Sequence, residues 1–141
     1  MSSVVLYHFA FDPGSRAVRL ALGEARIEFS ETPVRPWEDD CPLAPLNPSG
    51  MPPVLRISED NGRALTLCEP AAILGWLEER TTEPLLLPAD AAERAEVRRL
   101  LAWFDRRFTD EVNAVLLHER MEKPLLRLGP PEARALRAGR G

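Results

Sequence analysis

Seven of the fourteen prolines fall between Pro33 and Pro53. No helix interior accepts that density, because each ring removes an N–H and collides with the preceding turn. The stretch is therefore expected to be a long, stiff surface connection, and regular structure must come from either side of it. Upstream, Val4 to Phe9 is a short β-rich run suited to a buried strand. Asp12-Pro13-Gly14 marks a turn. Ser15 is placed to cap a helix through about Arg26, with Ala17, Val18, Ala21, Leu22 and Ala25 available for packing. Ile27 to Val34 then alternates Ile27 and Phe29 against Glu28 and Ser30, as a half-buried strand does.

Downstream, Val54-Leu55-Arg56-Ile57 and Ala64-Leu65-Thr66-Leu67 flank a segment containing Asn61-Gly62, which predicts a hairpin because both residues tolerate positive φ. Pro70 suits the first turn of a helix through Arg80. The order β-α-β, connection, β-hairpin, α is that of a thioredoxin-like fold. Thr81 to Ala89 reads as a linker with Pro84 and Pro88, and Asp90 with Glu93 reads as a capping pair opening a second helical region. Val97, Leu101, Phe104, Phe108, Val112 and Val115 recur at spacings of three and four, one apolar stripe expected to be core. Pro124 and Gly129-Pro130-Pro131 interrupt helix formation, and Glu132 to Arg140 begins another helical pattern.

Composition sets the outer bounds. A chain of 141 residues, 45% hydrophobic and 28% charged, suits one domain or one domain and part of another. Residues 1–90 hold 7 Arg and 14 acidic residues, net −7, while residues 91–141 hold 11 basic and 8 acidic, net +3. Because the basic residues alternate with acids instead of forming a stripe, nucleic-acid binding is not expected. Cys41 and Cys68 lie 27 positions apart, with no CxxC or Cys/His spacing, so neither a metal site nor a redox pair is expected. Met1-Ser2-Ser3-Val4-Val5-Leu6 lacks the pattern of a signal peptide, and no apolar stretch approaches about 18 residues. The cytoplasm is the expected location, without membrane insertion.

Four segments together resemble the glutathione S-transferase (GST) family. They are Ser15-Arg16-Ala17-Val18-Arg19-Leu20-Ala21-Leu22, Asn47-Pro48-Ser49-Gly50, Pro53-Val54-Leu55 and Glu69-Pro70-Ala71-Ala72-Ile73-Leu74. The resemblance implies an α/β thioredoxin-like N-terminal domain over residues 1–80 and a linker over 81–89. A truncated all-α GST C-terminal domain over 90–141 would follow, with homodimerisation in doubt because the helical half is short.

For the site, the resemblance implies departures from the family pattern. Asp12 falls where serine- and omega-type members keep Ser or Cys, and a carboxylate there repels a thiolate. Ser15 is a nearby hydroxyl, available either to assist a thiol in a shifted register or simply to cap its helix. Pro53 corresponds to the family's cis-proline. Pro52 then takes the position whose N–H and C=O pair with the glutathione backbone, and it has no N–H to donate. Met51 stands where Lys or Arg commonly faces the glycine end. The Glu-Ser pair that grips the γ-glutamyl end reads Glu69-Pro70, without the hydroxyl and the amide N–H.

These departures are similar to one branch of the family, the alphaproteobacterial GST-like cell-division proteins that bind the tubulin-like polymer FtsZ. Trp103-Phe104-Asp105-Arg106-Arg107-Phe108 with Glu111-Val112, and Arg35-Pro36-Trp37-Glu38, carry that likeness. It implies a non-catalytic scaffold on FtsZ filaments with no cofactor. The alternative is a glutathione transferase that uses glutathione as substrate, with Ser15 catalytic. Trp37 beside Arg35 has the composition of an interface anchor, or else it folds over the helix after Ser15.

Overall fold

The computed structural model describes residues 3–139. Met1, Ser2, Arg140 and Gly141, among them the end of the helical pattern expected from Glu132, lie outside the described residues. The chain divides into two compact units, Met1–Leu87 and Pro88–Gly141.

In the first unit, strands β1 (Ser3–His8), β2 (Ser30–Pro33), β3 (Val54–Ser58) and β4 (Ala64–Cys68) form one sheet in the order β2-β1-β3-β4. β1 runs parallel to β2 and antiparallel to β3, and β3 runs antiparallel to β4. Helices α1 (Pro13–Glu24) and α2 (Pro70–Arg80) cover one face. Leu6, Val18, Leu22, Leu55, Ile73 and Leu77 are sealed from solvent there, each contributing roughly 1.5–3 kcal/mol. Strand alternation sends Val54 to the opposite face, where the proline-rich connection folds back and buries Leu43 against Val34 and Val54. The connection is thus a stiff cover for the sheet, and the architecture is the thioredoxin-like one implied by the sequence.

Local differences have identifiable causes. Asp12, not Ser15, is the N-cap of α1, and its carboxylate accepts the Ser15 N–H at 2.5 Å. Pro13 suits the first helical position, and an acidic cap favours the positive end of the helix. β2 is shorter than the alternation suggested. Residues 25–27 are drawn into closing α1, with Ile27 N–H bound to the Leu22 carbonyl and Arg26 at φ 53. The hairpin forms, but its loop spans residues 59–63, and Gly62 (φ 84) takes the left-handed conformation while Asn61 does not. Five residues close on the Glu59 N–H to Arg63 C=O bond at 2.8 Å, which needs a single left-handed position.

In the second unit, α3 (Ala91–Phe108) runs on into a π-helix (Thr109–Glu122), followed by the short α4 (Lys123–Leu125) and α5 (Ala133–Ala138). Asp90 caps α3, accepting from the N–H groups of Ala92 and Glu93 at 2.9 Å. Glu119, buried, accepts from Lys123 Nζ at 2.8 Å and from the Glu132 N–H at 2.7 Å, tying the π-helix to the approach of α5. Those contacts hold the Glu119 carboxyl below its ordinary range, the Lys123 ammonium foremost.

The stripe expected to be core is a correction. Leu101, Phe104 and Phe108 are 53%, 60% and 47% exposed, and no residue of α3 is fully buried. The spacing correctly reports an amphipathic face. Burying such a face requires an opposing surface: within the second unit Val97, Val112 and Val115 are half-buried, while Leu101, Phe104 and Phe108 stay open. Trp103 instead stacks edge-on with Phe104 at 4.8 Å and lies under the Arg107 guanidinium at 5.2 Å. Among the described residues, no helix is long and apolar enough to cross a membrane, and no group of three or more His, Cys, Asp or Glu is placed to hold a metal ion.

Candidate functional site

The strand register brings the expected site residues to one end of the sheet. Tyr7 and Cys68 both pair with Val54, and His8 pairs with Pro33. The exits of β1, β2 and β4 therefore adjoin the entry of β3. Asp12 and Ser15 follow β1, Met51 to Pro53 precede β3, and Glu69-Pro70 joins β4 to α2. The start of α2 lies hard against the start of α1. A Cβ added at Gly14 would stand 2.5 Å from the Pro70 ring and 3.3 Å from Asp12 Oδ2, so only glycine fits there.

The Pro52–Pro53 peptide bond is cis, and Pro53 is fully buried. The loop before it is braced by Asn47, itself only 4% exposed. Asn47 Nδ2 donates to the Met51 carbonyl at 2.8 Å, and its Oδ1 accepts the Ser49 N–H at 3.2 Å. That bracing role lies within a family-like motif, yet nothing in the motif assigns it. Gly50, at φ 68, supplies the left-handed turn. Glu69 occupies φ 70, ψ 129, which side-chain-bearing residues seldom adopt; its side chain makes no capping bond to α2, while its carbonyl accepts the Ile73 N–H at 3.1 Å.

Three features limit what this end can do chemically. Pro52 and Pro70 have no N–H to offer at this end of the sheet. Ser15 is fully buried, and its hydroxyl oxygen accepts the Phe9 N–H at 3.3 Å. Cys68 does not replace it as a nucleophile. Its thiol donates to the Leu46 carbonyl at 3.4 Å, and burial, with Glu69 adding, pushes its pKa up.

On the β2 side, the loop after Pro33 carries Trp37 and Arg35. Trp37 is half-buried and packs edge-on against Phe9 at 5.1 Å. Phe9 in turn meets Phe11 at 5.6 Å, and Phe11 is 51% exposed. The tryptophan thus seats on the β1–α1 turn with part of its ring open to solvent. Arg35 pairs with Glu38 at 2.9 Å. Neither Phe9 nor Phe11 was singled out from the sequence, since adjacent hydrophobics around a turn carry no periodic signal.

Beneath this end lies His8, 3% exposed. Its Nε2 is 3.2 Å from a Glu31 carboxylate oxygen, and its Nδ1 has no hydrogen-bond partner among the described residues. Burial pushes the imidazole pKa down, Glu31 opposes that, and Arg19, paired with Glu31 at 2.9 Å, reinforces it. The folded state therefore favours neutral His8, and the unfolded chain binds more protons below about pH 6.5. Stability is expected to fall as pH drops from about 7 through that value toward the depressed folded pKa. Urea midpoints at several pH values check this. His8→Phe should flatten that limb, whereas an unchanged slope would clear His8 of the effect.

The family described as glutathione S-transferase, N-terminal domain, matches residues 13–80. The chain is 59% identical over 135 residues to FtsZ-localized protein A of Caulobacter vibrioides, covering 96% of this chain and 59% of that protein. It is 35% identical over 100 residues to maleylpyruvate isomerase of a Ralstonia species, covering 69% and 45%. Among solved structures, FzlA from C. crescentus superposes with a TM-score of 0.90 at 58% identity, over 98% of this chain and 61% of that one. A glutathione S-transferase from Rhodospirillum rubrum gives 0.85 at 42% identity, over 97% and 60%. The chain thus spans about three fifths of the length of FtsZ-localized protein A and less than half of the isomerase.

Proposed function

Since the chain belongs to the glutathione S-transferase family, we propose that it is a non-catalytic member, a cytoplasmic scaffold that binds FtsZ filaments in cell division. The observation that carries the reading is the 59% identity to a protein named for its localisation with FtsZ. The chemistry of the site supports it from a separate direction. Two imino acids occupy positions where a tripeptide ligand needs main-chain donors, and the neighbouring hydroxyl is buried. Burial of Ser15 also weighs against the alternative of a glutathione transferase conjugating small electrophiles, because a thiol arriving from solvent has no open path to it.

Trp37 and Arg35 are the residues proposed to meet the partner. Cosedimentation with purified FtsZ assembled in GTP tests this. Trp37→Ala is expected to weaken retention by about thirtyfold, the effect of losing about 2 kcal/mol from an aromatic anchor. It should lower the melting temperature by only a few degrees, because the edge-on contact with Phe9 contributes about 0.5–1.5 kcal/mol. Full retention in Trp37→Ala, with a large loss of stability, would make the ring a packing residue only.

A further inference from the structure

We propose that the cavity between the ends of β1 and β2 receives a basic side chain, arginine or lysine, carried on a peptide segment of the protein partner. The inference rests on the partner-binding reading above and specifies its chemistry. The cavity measures about 530 Å³, within the range that holds a small ligand or a long side chain. None of Asp12, Met51, Pro52, Pro53, Glu69 or Pro70 lines it. Its apolar lining includes Phe9, Val34 and Pro42, and its charged groups are Arg35, Glu38 and Asp40.

Charge selects the occupant. Arg35 is engaged with Glu38 at 2.9 Å, so the two neutralise each other. Asp40 has no ion-pair or hydrogen-bond partner among the described residues, and the cavity is left with one net negative charge. Glutathione, with two carboxylates and one ammonium group, is disfavoured in such a place. A guanidinium or ammonium head on an aliphatic stem is favoured. Its stem covers the apolar wall, its head meets the Asp40 carboxylate, and a planar guanidinium can also stack on Phe9. Residues 1–90 carry net −7, a field that draws a basic segment toward this unit.

The test uses the full chain, ¹⁵N-labelled, titrated with acetyl-Gly-Leu-Arg-Leu-Gly-amide and with the same peptide carrying neutral citrulline for arginine. The arginine peptide should shift the amide signals of Ala10 and Val34 and the Trp37 indole N–H, and the citrulline peptide should not. Asp40→Asn, an exposed substitution, should weaken the arginine peptide about tenfold and FtsZ cosedimentation in step. Equal shifts from both peptides, or none up to about 10 mM, would overturn the proposal. So would filament binding untouched by Asp40→Asn. Arginine-specific shifts in a chain that does not sediment with FtsZ would support the cavity while removing the scaffold reading, so the two ideas fail separately.

Discussion

Titrated with glutathione in a calorimeter, the chain is expected to bind about a hundredfold more weakly than a relative with an N–H at the positions of Pro52 and Pro70. A hydrogen bond to a charged ligand group contributes roughly 1.5–3 kcal/mol and one to a neutral peptide carbonyl roughly 0.5–1.5 kcal/mol, and a donor replaced by a proline ring is lost outright. One loss of each kind comes to about 3 kcal/mol, which is the hundredfold figure. Met51, uncharged and 55% exposed, adds no electrostatic hold. The converse experiment is more demanding. Pro52→Val restores one N–H, and Pro70→Ser restores an N–H and a hydroxyl at the start of α2. Together they should recover about two orders of magnitude, less whatever is lost where the Pro70 ring packs against Gly14. A wild-type dissociation constant below about 0.1 mM would show that glutathione finds other donors, and the non-catalytic reading would fail.

The fold was legible because several independent local signals agreed with one another. A hairpin at Asn61-Gly62, a proline-led helix at Pro70 and a buried strand before Phe9 each emerge where local chemistry put them. The proline-rich connection was legible as stiff but not as a cover, since burial of Leu43 depends on where the sheet face points. Sequence alone does not separate Ser15 from Asp12 as the cap, because the hydroxyl and the carboxylate are both competent and only Pro13 at the first helical position distinguishes them. The face of α3 failed differently. Periodicity shows that a helix has an apolar side, while burial is a property of two surfaces, and within the second unit only the valines of the stripe are even half-covered. At the site, the absent N–H groups of Pro52 and Pro70 could be read directly, because proline's missing donor is covalent chemistry. The aromatic contacts of Trp37 and the burial of His8 beside Glu31 required the geometry of three strand ends at once.

Glu78 illustrates what no motif announces, and its replacement should have the second largest effect. It sits in the last turn of α2, where the helix dipole disfavours an anion, and it is 7% exposed. Its carboxylate nevertheless accepts three successive main-chain N–H groups, from Leu85 at 3.1 Å, Leu86 at 2.9 Å and Leu87 at 3.4 Å. Leu85 meanwhile packs against the main core. Residues 85–87, which sequence reasoning assigned to a linker, are thereby fastened to α2 at the boundary between the two units. Glu78→Ala would strip the acceptor from three partly buried donors, at a cost of about 3 kcal/mol. For a unit of this size that corresponds to a fall of roughly 15 °C in melting temperature. Hydrogen exchange separates this from a general loss of packing. The Leu85 to Leu87 amides should lose protection first, while those of β1 and β3 keep theirs until global unfolding. Glu78→Gln retains one acceptor oxygen but turns an NH2 group toward the same amides, so it should recover less than half of the loss. If both variants melt with the wild type, those amides are satisfied by water, and the carboxylate does not hold the chain's exit from the first unit.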